Sequence, residues 1–586
     1  MALEGTAGRF GSLLGVISIG SELCKFLVYA ARNAEVLTCH EVKLKQISLN
    51  PGWLEFDPED LIKCVTECMD VASRNLVILD INPLDIVAVG ICNQRGTCVL
   101  WDSETGLPLY NAIAWSDTRT SGILKTILTG LKGKQNFLKS VCGLPLSTCF
   151  SALTIKWLRE NVEDVNKSMI DKRCLFGTLD TWLLWNLTGG VDGGVHITDV
   201  TNAAYTMLMN LKNVQWDRRL CSFFKIPESI LPNIKSSAEI YGFINSGPLR
   251  GVPISSCMGD QCAALLGQLC TQPARGTCTI DESCFVIFNT GQEIIESSNG
   301  LLSTIAFKLG TREKVFYALE GAIGNAGSSV SWLKERLQIN TEINQNESSA
   351  DMLCTILGDT SSALSTSLSP ATNDRKSEVL FVPAFNGLYS PYWKHDARGL
   401  LLGLTSHTTA ENVTQAAYEA TGFQIRDILE AFRKDTPTWE PTRKLLVGGE
   451  FCENNDFIQF VADIVGIILE RPQTTSPSCL GSMLAAGITM GVLSLENART
   501  MTPPFDFFHP TTTQNRREVL YCRWNYAIER CMNWDNFENF DEEIAMFSQK
   551  EKDPNLGVRR SIPGTFFLTS AFVLLLVAKY LQNQSS

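Results

Sequence analysis

Short apolar runs, broken at small or acidic turns, set the rhythm of this chain. Leu13-Leu14-Gly15-Val16-Ile17-Ser18-Ile19 is followed across Gly20-Ser21-Glu22 by Leu23-Cys24-Lys25-Phe26-Leu27-Val28-Tyr29. Apolar residues stand at consecutive positions here, so the pattern predicts a strand, a tight turn and a second strand, all deep in a core. The pattern returns at Thr279-Ile280, Asp281-Glu282-Ser283 and Cys284-Phe285-Val286-Ile287-Phe288. Each unit opens a long mixed segment, which predicts two related halves facing across a cleft. Helices are expected over 58–73 and 154–160 in the first half and over 326–337 and 411–432 in the second, where apolar residues recur every three or four positions. Short β-rich runs at 86–91 and 445–447 each end in a glycine- or asparagine-rich turn.

Length and composition narrow the class. At 586 residues the chain is too long for one core, so two large domains are expected, at 12–268 and 269–534. Apolar residues at 45% with 19% charged residues exclude a disordered chain. A net charge of -12 without a basic stripe argues against nucleic acid as a partner. Twenty cysteines without a C-x-x-C spacing read as reduced thiols, and five scattered histidines exclude a His-rich metal site. Residues 13–19 follow no basic region and read as a buried strand rather than a secretory signal.

The last fifty residues read differently. Residues 562–578 are nearly all apolar, with Arg559 and Arg560 before them and Lys579 after. At about 1.5 Å per residue the run spans roughly 26 Å, enough for a thin bilayer. It is expected to be a transmembrane tail anchor at 561–580 behind a polar linker at 535–560. Its shortness and basic flanks point to the mitochondrial outer membrane, with the body facing the cytosol and the endoplasmic reticulum as the alternative.

The chemistry centres on Cys257-Met258-Gly259-Asp260-Gln261-Cys262-Ala263-Ala264-Leu265. A carboxylate after a glycine, opening a small-residue helix, suits a general base that takes a proton from a hydroxyl attacking a phosphate. The second turn conflicts with that reading. Phosphate-binding turns use glycine and small hydroxyls, so that backbone N–H groups approach the ligand. This one carries Asp281 and Glu282.

Several ordered segments carry a family resemblance: Gly52-Trp53-Leu54-Glu55-Phe56-Asp57-Pro58, Asn93-Gln94-Arg95, Phe176-Gly177-Thr178-Leu179-Asp180-Thr181-Trp182, Gly259-Asp260-Gln261, Ala318-Leu319-Glu320-Gly321, and the run from Phe381 to Trp393. Together they resemble the glycerol kinases of the sugar-kinase family, from about residue 12 to 534. The resemblance implies an α/β fold of two actin-like (ribonuclease H-like) domains with an interdomain cleft, to which the tail adds a C-terminal transmembrane helix. It implies ATP and Mg²⁺ as cofactors, glycerol as substrate, Asp260 as base, and self-association into a homo-oligomer.

The resemblance assigns glycerol contacts to Arg95, Trp115, Asp260, Gln261 and Phe285, all present. It assigns nucleotide contacts to Gly20, Ser21, Glu282, Gly321, Gly448, Gly449 and Asn454. Departures from the family are Gly96 for an acidic residue, Cys149 for a tyrosine, Ser18 for the metal-side aspartate, and Asp281-Glu282-Ser283 for glycine-threonine-glycine. A carboxylate about 5 Å from a phosphate charge repels it by roughly 3 kcal/mol at an effective dielectric near 20. The metal ligand is left unassigned, although Asp281 or Glu282 would offer oxygens to Mg²⁺. Two functions follow from these residues. One is a weak or inactive kinase-like protein with a degenerate ATP site, acting in membrane assembly or recruitment. The alternative is an active glycerol kinase supplying glycerol 3-phosphate to mitochondrial lipid synthesis.

Overall fold

The computed structural model describes residues 11–338, 379–439, 442–473, 476–501 and 504–534. The two expected strand–turn–strand units are present as Leu13–Ile19 with Leu23–Ala30, and Gly276–Ile280 with Cys284–Gly291. Each pair is antiparallel in tight register, Ile19 opposite Cys24 and Ile280 opposite Cys284.

Each hairpin seeds one sheet, and the sheets are built alike. In the first, the order is Ala238–Phe243, Pro253–Gly259, Ile86–Asn93, Leu13–Ile19, Leu23–Ala30, Glu35–Lys43. In the second, Phe505–Phe508, Ile468–Pro472, Lys444–Gly448, Gly276–Ile280, Cys284–Gly291, Phe316–Ile323 and Leu302–Phe307 follow the same plan. The hairpin's first strand runs parallel to its inner neighbour in both, Leu13–Ile19 to Ile86–Asn93 and Gly276–Ile280 to Lys444–Gly448. The helix expected over 58–73 extends over Pro58–Ile78, capped by the Asp57 carboxylate, which accepts from the Glu59 and Asp60 N–H groups. Its Leu61, Val65, Met69, Ala72 and Leu76 pack into the core of the first sheet. The other expected helices are Ser151–Asn161, Gly327–Leu337 and Ala410–Asp435.

Two helices tie the halves together by exchanging sheets. Asp260–Gly267, which follows the first sheet's Pro253–Gly259, packs against Cys284–Gly291 and Leu302–Phe307 of the second. Pro477–Thr489, from the second half, packs against Pro253–Gly259, Ile86–Asn93 and Leu13–Ile19 of the first. The two helices also cross each other, and small residues let their backbones nearly touch. A Cβ on Gly481 would lie 1.8 Å from the Ala263 carbonyl oxygen, and one on Gly267 would lie 2.0 Å from that of Pro477. Side chains lock the crossing to the first sheet: Ser256 Oγ donates to the Ser482 carbonyl at 2.8 Å, and Thr489 Oγ1 to that of Ser255 at 2.8 Å.

The fold expectation needs one correction. Among the described residues no helix is long and apolar enough to cross a membrane, so the two-lobed α/β architecture stands without the transmembrane helix added to it. The longest described helix, Ala410–Asp435, carries Glu419, Arg426, Asp427, Glu430 and Arg433 along its length, which unfits it for lipid. Residues 535–560 and 561–580, read as linker and anchor, lie outside the described residues, and the mitochondrial location rested on the same segment.

Adding one methyl group at the helix crossing tests how close it is. Gly481→Ala is expected to lower stability by about 2–3 kcal/mol in urea unfolding, because backbone rather than a flexible side chain must move. Unchanged stability would show that the two backbones do not approach as described.

Candidate active site

Both hairpin turns, the start of Asp260–Gly267 and the start of Pro477–Thr489 converge on one cavity of about 210 Å³. Asp260 is the first residue of its helix, with Gly259 as cap and its own Oδ1 accepting the Gln261 N–H at 2.7 Å. Arg95 reaches the same place from the end of Ile86–Asn93, with Nε 3.8 Å from Asp260 Oδ1. Its neighbour Gln94 donates its N–H to the Ile19 carbonyl and its side-chain amide to that of Gly20, at 2.8 and 2.9 Å. The first turn and the arginine therefore move as one unit.

A buried ion pair fixes Arg95. Its two Nη atoms each donate to one oxygen of Glu320, both at 2.7 Å, and Glu320 stands on Phe316–Ile323 of the second sheet. Burial by itself would lower the guanidinium; the paired carboxylate outweighs it and holds Arg95 well above its ordinary value. Trp115 and Phe285 complete an apolar wall, their rings 5.6 Å apart. Gln261 Oε1 and Thr279 Oγ1, both on the cavity wall, are buried with no hydrogen-bond partner among the described residues, which marks them as groups aimed at a ligand.

Of the expected contacts, Arg95, Trp115, Asp260, Gln261, Phe285, Gly20, Ser21, Glu282 and Gly449 line this cavity. Gly448 opens with Gly449 onto an adjoining depression that also includes Arg471 and Asp506. Gly321 and Asn454 are placed elsewhere. Gly321 is in the strand Phe316–Ile323 and packs against Ile428, so it serves the core. Asn454 caps the helix Asn455–Val465, its Oδ1 accepting the Phe457 N–H at 2.8 Å. The segment facing the second turn is 326–331: Ala326 and Ser328 donate their N–H groups to the Glu282 carbonyl, and Gly327 to that of Asp281. Cys149, in place of the family tyrosine, is buried beside Ser147, its thiol pushed up to about 12 mainly by burial. The structure adds Lys25, Tyr205, Glu22 and Glu450 to the cavity wall.

The electrostatics are acidic. Glu22, Asp260, Asp281, Glu282 and Glu450 face the cavity, against Lys25 and an Arg95 already paired with Glu320. Asp281 turns inward, its Oδ1 accepting the Glu450 N–H at 2.8 Å. Burial, reinforced by Glu450 and Asp260, raises Asp281 to about 6. Burial, reinforced by Glu22, raises Glu282 to about 7, although Ser331 Oγ donates to it. Asp260 is raised to about 6, again chiefly by burial, with Arg95 opposing. All three exchange protons near neutrality, where ordinary carboxyls stay ionised.

Comparison with known proteins completes the site. Residues 13–267 match the N-terminal domain of the FGGY family of carbohydrate kinases, and residues 276–490 match its C-terminal domain. The chain belongs to the FGGY family of carbohydrate kinases. Among its relatives, a probable glycerol kinase of Dictyostelium discoideum is 36% identical over 568 residues, 90% of this chain and 99% of the relative. A glycerol kinase of Arabidopsis thaliana is 36% identical, covering 88% and 97% of the two chains. The crystal structure of Plasmodium falciparum glycerol kinase with ADP superposes with a TM-score of 0.75 at 31% identity, covering 89% of this chain and 99% of that one. The cavity of this FGGY kinase lies where the two family domains meet, at the helix crossing.

The raised carboxyls give the site a pH signature. As pH rises from about 5.5 to 8, Asp281 and then Glu282 ionise and repel a triphosphate, so its dissociation constant should increase severalfold. Calorimetric titration of MgATP across that range checks this, and Asp281→Asn with Glu282→Gln should flatten the profile. A flat wild-type profile would contradict the assignment.

Proposed function

We propose that the protein is an ATP-dependent polyol kinase that phosphorylates glycerol, with Asp260 as general base. The observation that carries this reading is the setting of Asp260: a carboxylate on the cleft floor, beside Arg95 and Gln261, under the Trp115–Phe285 wall. The glycerol kinase relatives, and the ADP in the Plasmodium structure, support the same reaction.

The carbon chain of glycerol lies against Trp115 and Phe285, whose rings exclude water without demanding hydrogen bonds. Gln261 Oε1, buried and unpartnered, accepts from one hydroxyl. Asp260 takes the proton of the primary hydroxyl as that oxygen bonds to the γ-phosphorus of ATP and the bond from that phosphorus to the bridging oxygen breaks, with ADP leaving on that oxygen. Raised to about 6, Asp260 is mostly ionised at pH 7 yet basic enough to hold the proton. Lys25, ion-paired with Glu41 at 3.0 Å, and the backbone of Ser21 and Gly449 also line the cavity and are the groups this reading turns to the phosphates. Bound ATP supplies the phosphoryl group, and Mg²⁺ screens its charge. The donor set fits that ion through the hard carboxylate oxygens of Asp260, whose charge also raises Asp281.

The acidic second turn favours a further reading, in which the same reaction runs slowly because nucleotide binds weakly. Asp281 and Glu282 both line the cavity, and on this reading they face the nucleotide. Both readings place the chemistry at Asp260 and differ only in rate. The membrane-assembly role drew on the C-terminal helix and is not carried forward.

A coupled assay of ADP release with saturating glycerol and MgATP tests the reaction. Turnover is expected, and Asp260→Asn should reduce it by about 10²-fold to 10⁴-fold, the range of general-base catalysis. Turnover surviving in Asp260→Asn would remove Asp260 from the mechanism.

A further inference from the structure

The acceptor end of the cavity is rebuilt around Tyr205. Gly96, beside Arg95, has φ +81°, and a Cβ there would lie 2.9 Å from the Cys149 carbonyl oxygen and 3.2 Å from Tyr205 Cδ1. The backbone conformation and the space both refuse a side chain at 96. No carboxylate can therefore enter the acceptor site from that position. The Tyr205 ring fills the space, coming from the C-terminal end of the short helix Val200–Ala204.

Tyr205 is held firmly. Its ring packs edge-on against Phe150 at 5.0 Å, and the Arg95 guanidinium lies over its face, 4.4 Å from the centroid. The residue is 2% exposed, lines the cavity, and makes no hydrogen bond through its hydroxyl among the described residues. Arg95, meanwhile, has both Nη atoms committed to Glu320 and its Nε turned to Asp260, so much of its donor capacity is spoken for. Burial raises the phenol well above its ordinary value, so it stays protonated and able to donate. A cavity-facing hydroxyl without a protein partner gains one when a ligand hydroxyl meets it.

We propose that Tyr205 determines acceptor specificity, its phenol hydrogen-bonding a hydroxyl of the polyol other than the one that faces Asp260. The inference rests on the reading of this cavity as a polyol acceptor site. The Arg95 guanidinium touches both the Tyr205 ring and Asp260, so an acceptor seated against it meets the two groups through hydroxyls on separate carbons. A site with such a buried group discriminates against an acceptor that leaves it unpaired. The pocket therefore selects triols over diols through Tyr205.

The test is binding of glycerol, 1,2-propanediol and 1,3-propanediol to the full chain and to Tyr205→Phe, by calorimetry without nucleotide. Phenylalanine keeps the ring over Arg95, and an unchanged melting temperature verifies the fold. Tyr205→Phe should weaken glycerol binding about fivefold to tenfold. The propanediol that lacks the hydroxyl met by Tyr205 should bind wild type and variant alike. In turnover, the loss should appear in KM for glycerol with kcat little changed. Equal glycerol affinity in wild type and Tyr205→Phe would overturn the proposal while leaving the kinase reading intact. Tyrosine-dependent binding without turnover would support the proposal and contradict the kinase reading. A wild-type chain that binds none of the three would overturn both.

Discussion

The site depends on the contact between two helices at Gly267 and Gly481. Because neither glycine carries a side chain, Asp260–Gly267 and Pro477–Thr489 cross with backbone against backbone. Each helix also lies on the other half's sheet. The N-terminal ends of both face the cavity, so Asp260 arrives from one half and Ser476, Pro477 and Ser478 from the other. Close-packed interiors transmit displacement rather than absorb it, so a shift at the crossing reaches the base directly. The Arg95–Glu320 pair is a second tie between the halves, close to the chemistry. Removing one partner of such a pair leaves a buried charge uncompensated, which makes it a fixed spacer rather than an adjustable contact.

Around this frame the cavity wall is uneven. On the proposed reading its acceptor end is formed by Asp260, Arg95, the aromatic wall and Tyr205. The second turn carries charge of the wrong sign for a triphosphate. Burial moderates that cost, because Asp281 at about 6 and Glu282 at about 7 are partly protonated near neutrality. The family relationship and the retained base favour a working enzyme, and the acidic turn accounts for any slowness in it.

Much of this was legible in the sequence for physical reasons. The buried hairpins were readable because fully apolar strands flank short polar turns, and the matching second unit revealed the duplication. Asp260, Arg95, Trp115, Gln261 and Phe285 were readable because their segments are distinctive. Gly321 packs against Ile428, and a glycine in an ordered motif gives no sign in the sequence of whether it meets a ligand or a core residue. Asn454 offers a second lesson, because an asparagine before a helix is as good a cap as a ligand. Tyr205 and Glu320 were invisible as site residues, for their relation to Arg95 spans 110 and 225 positions of chain and exists only after folding. The membrane helix was read from hydropathy and length alone; residues 561–580 lie outside the described residues, and no helix among the described residues is long and apolar enough to cross a membrane.

On the proposed reading, the charge of the second turn sets nucleotide affinity. The most direct measurement is calorimetric titration of MgATP at pH 7.5 into the wild-type chain and into Asp281→Gly/Glu282→Thr/Ser283→Gly. Relieving two repulsions of about 3 kcal/mol before screening predicts at least a tenfold tighter complex for the variant. Equal affinities in the two proteins would contradict the claim.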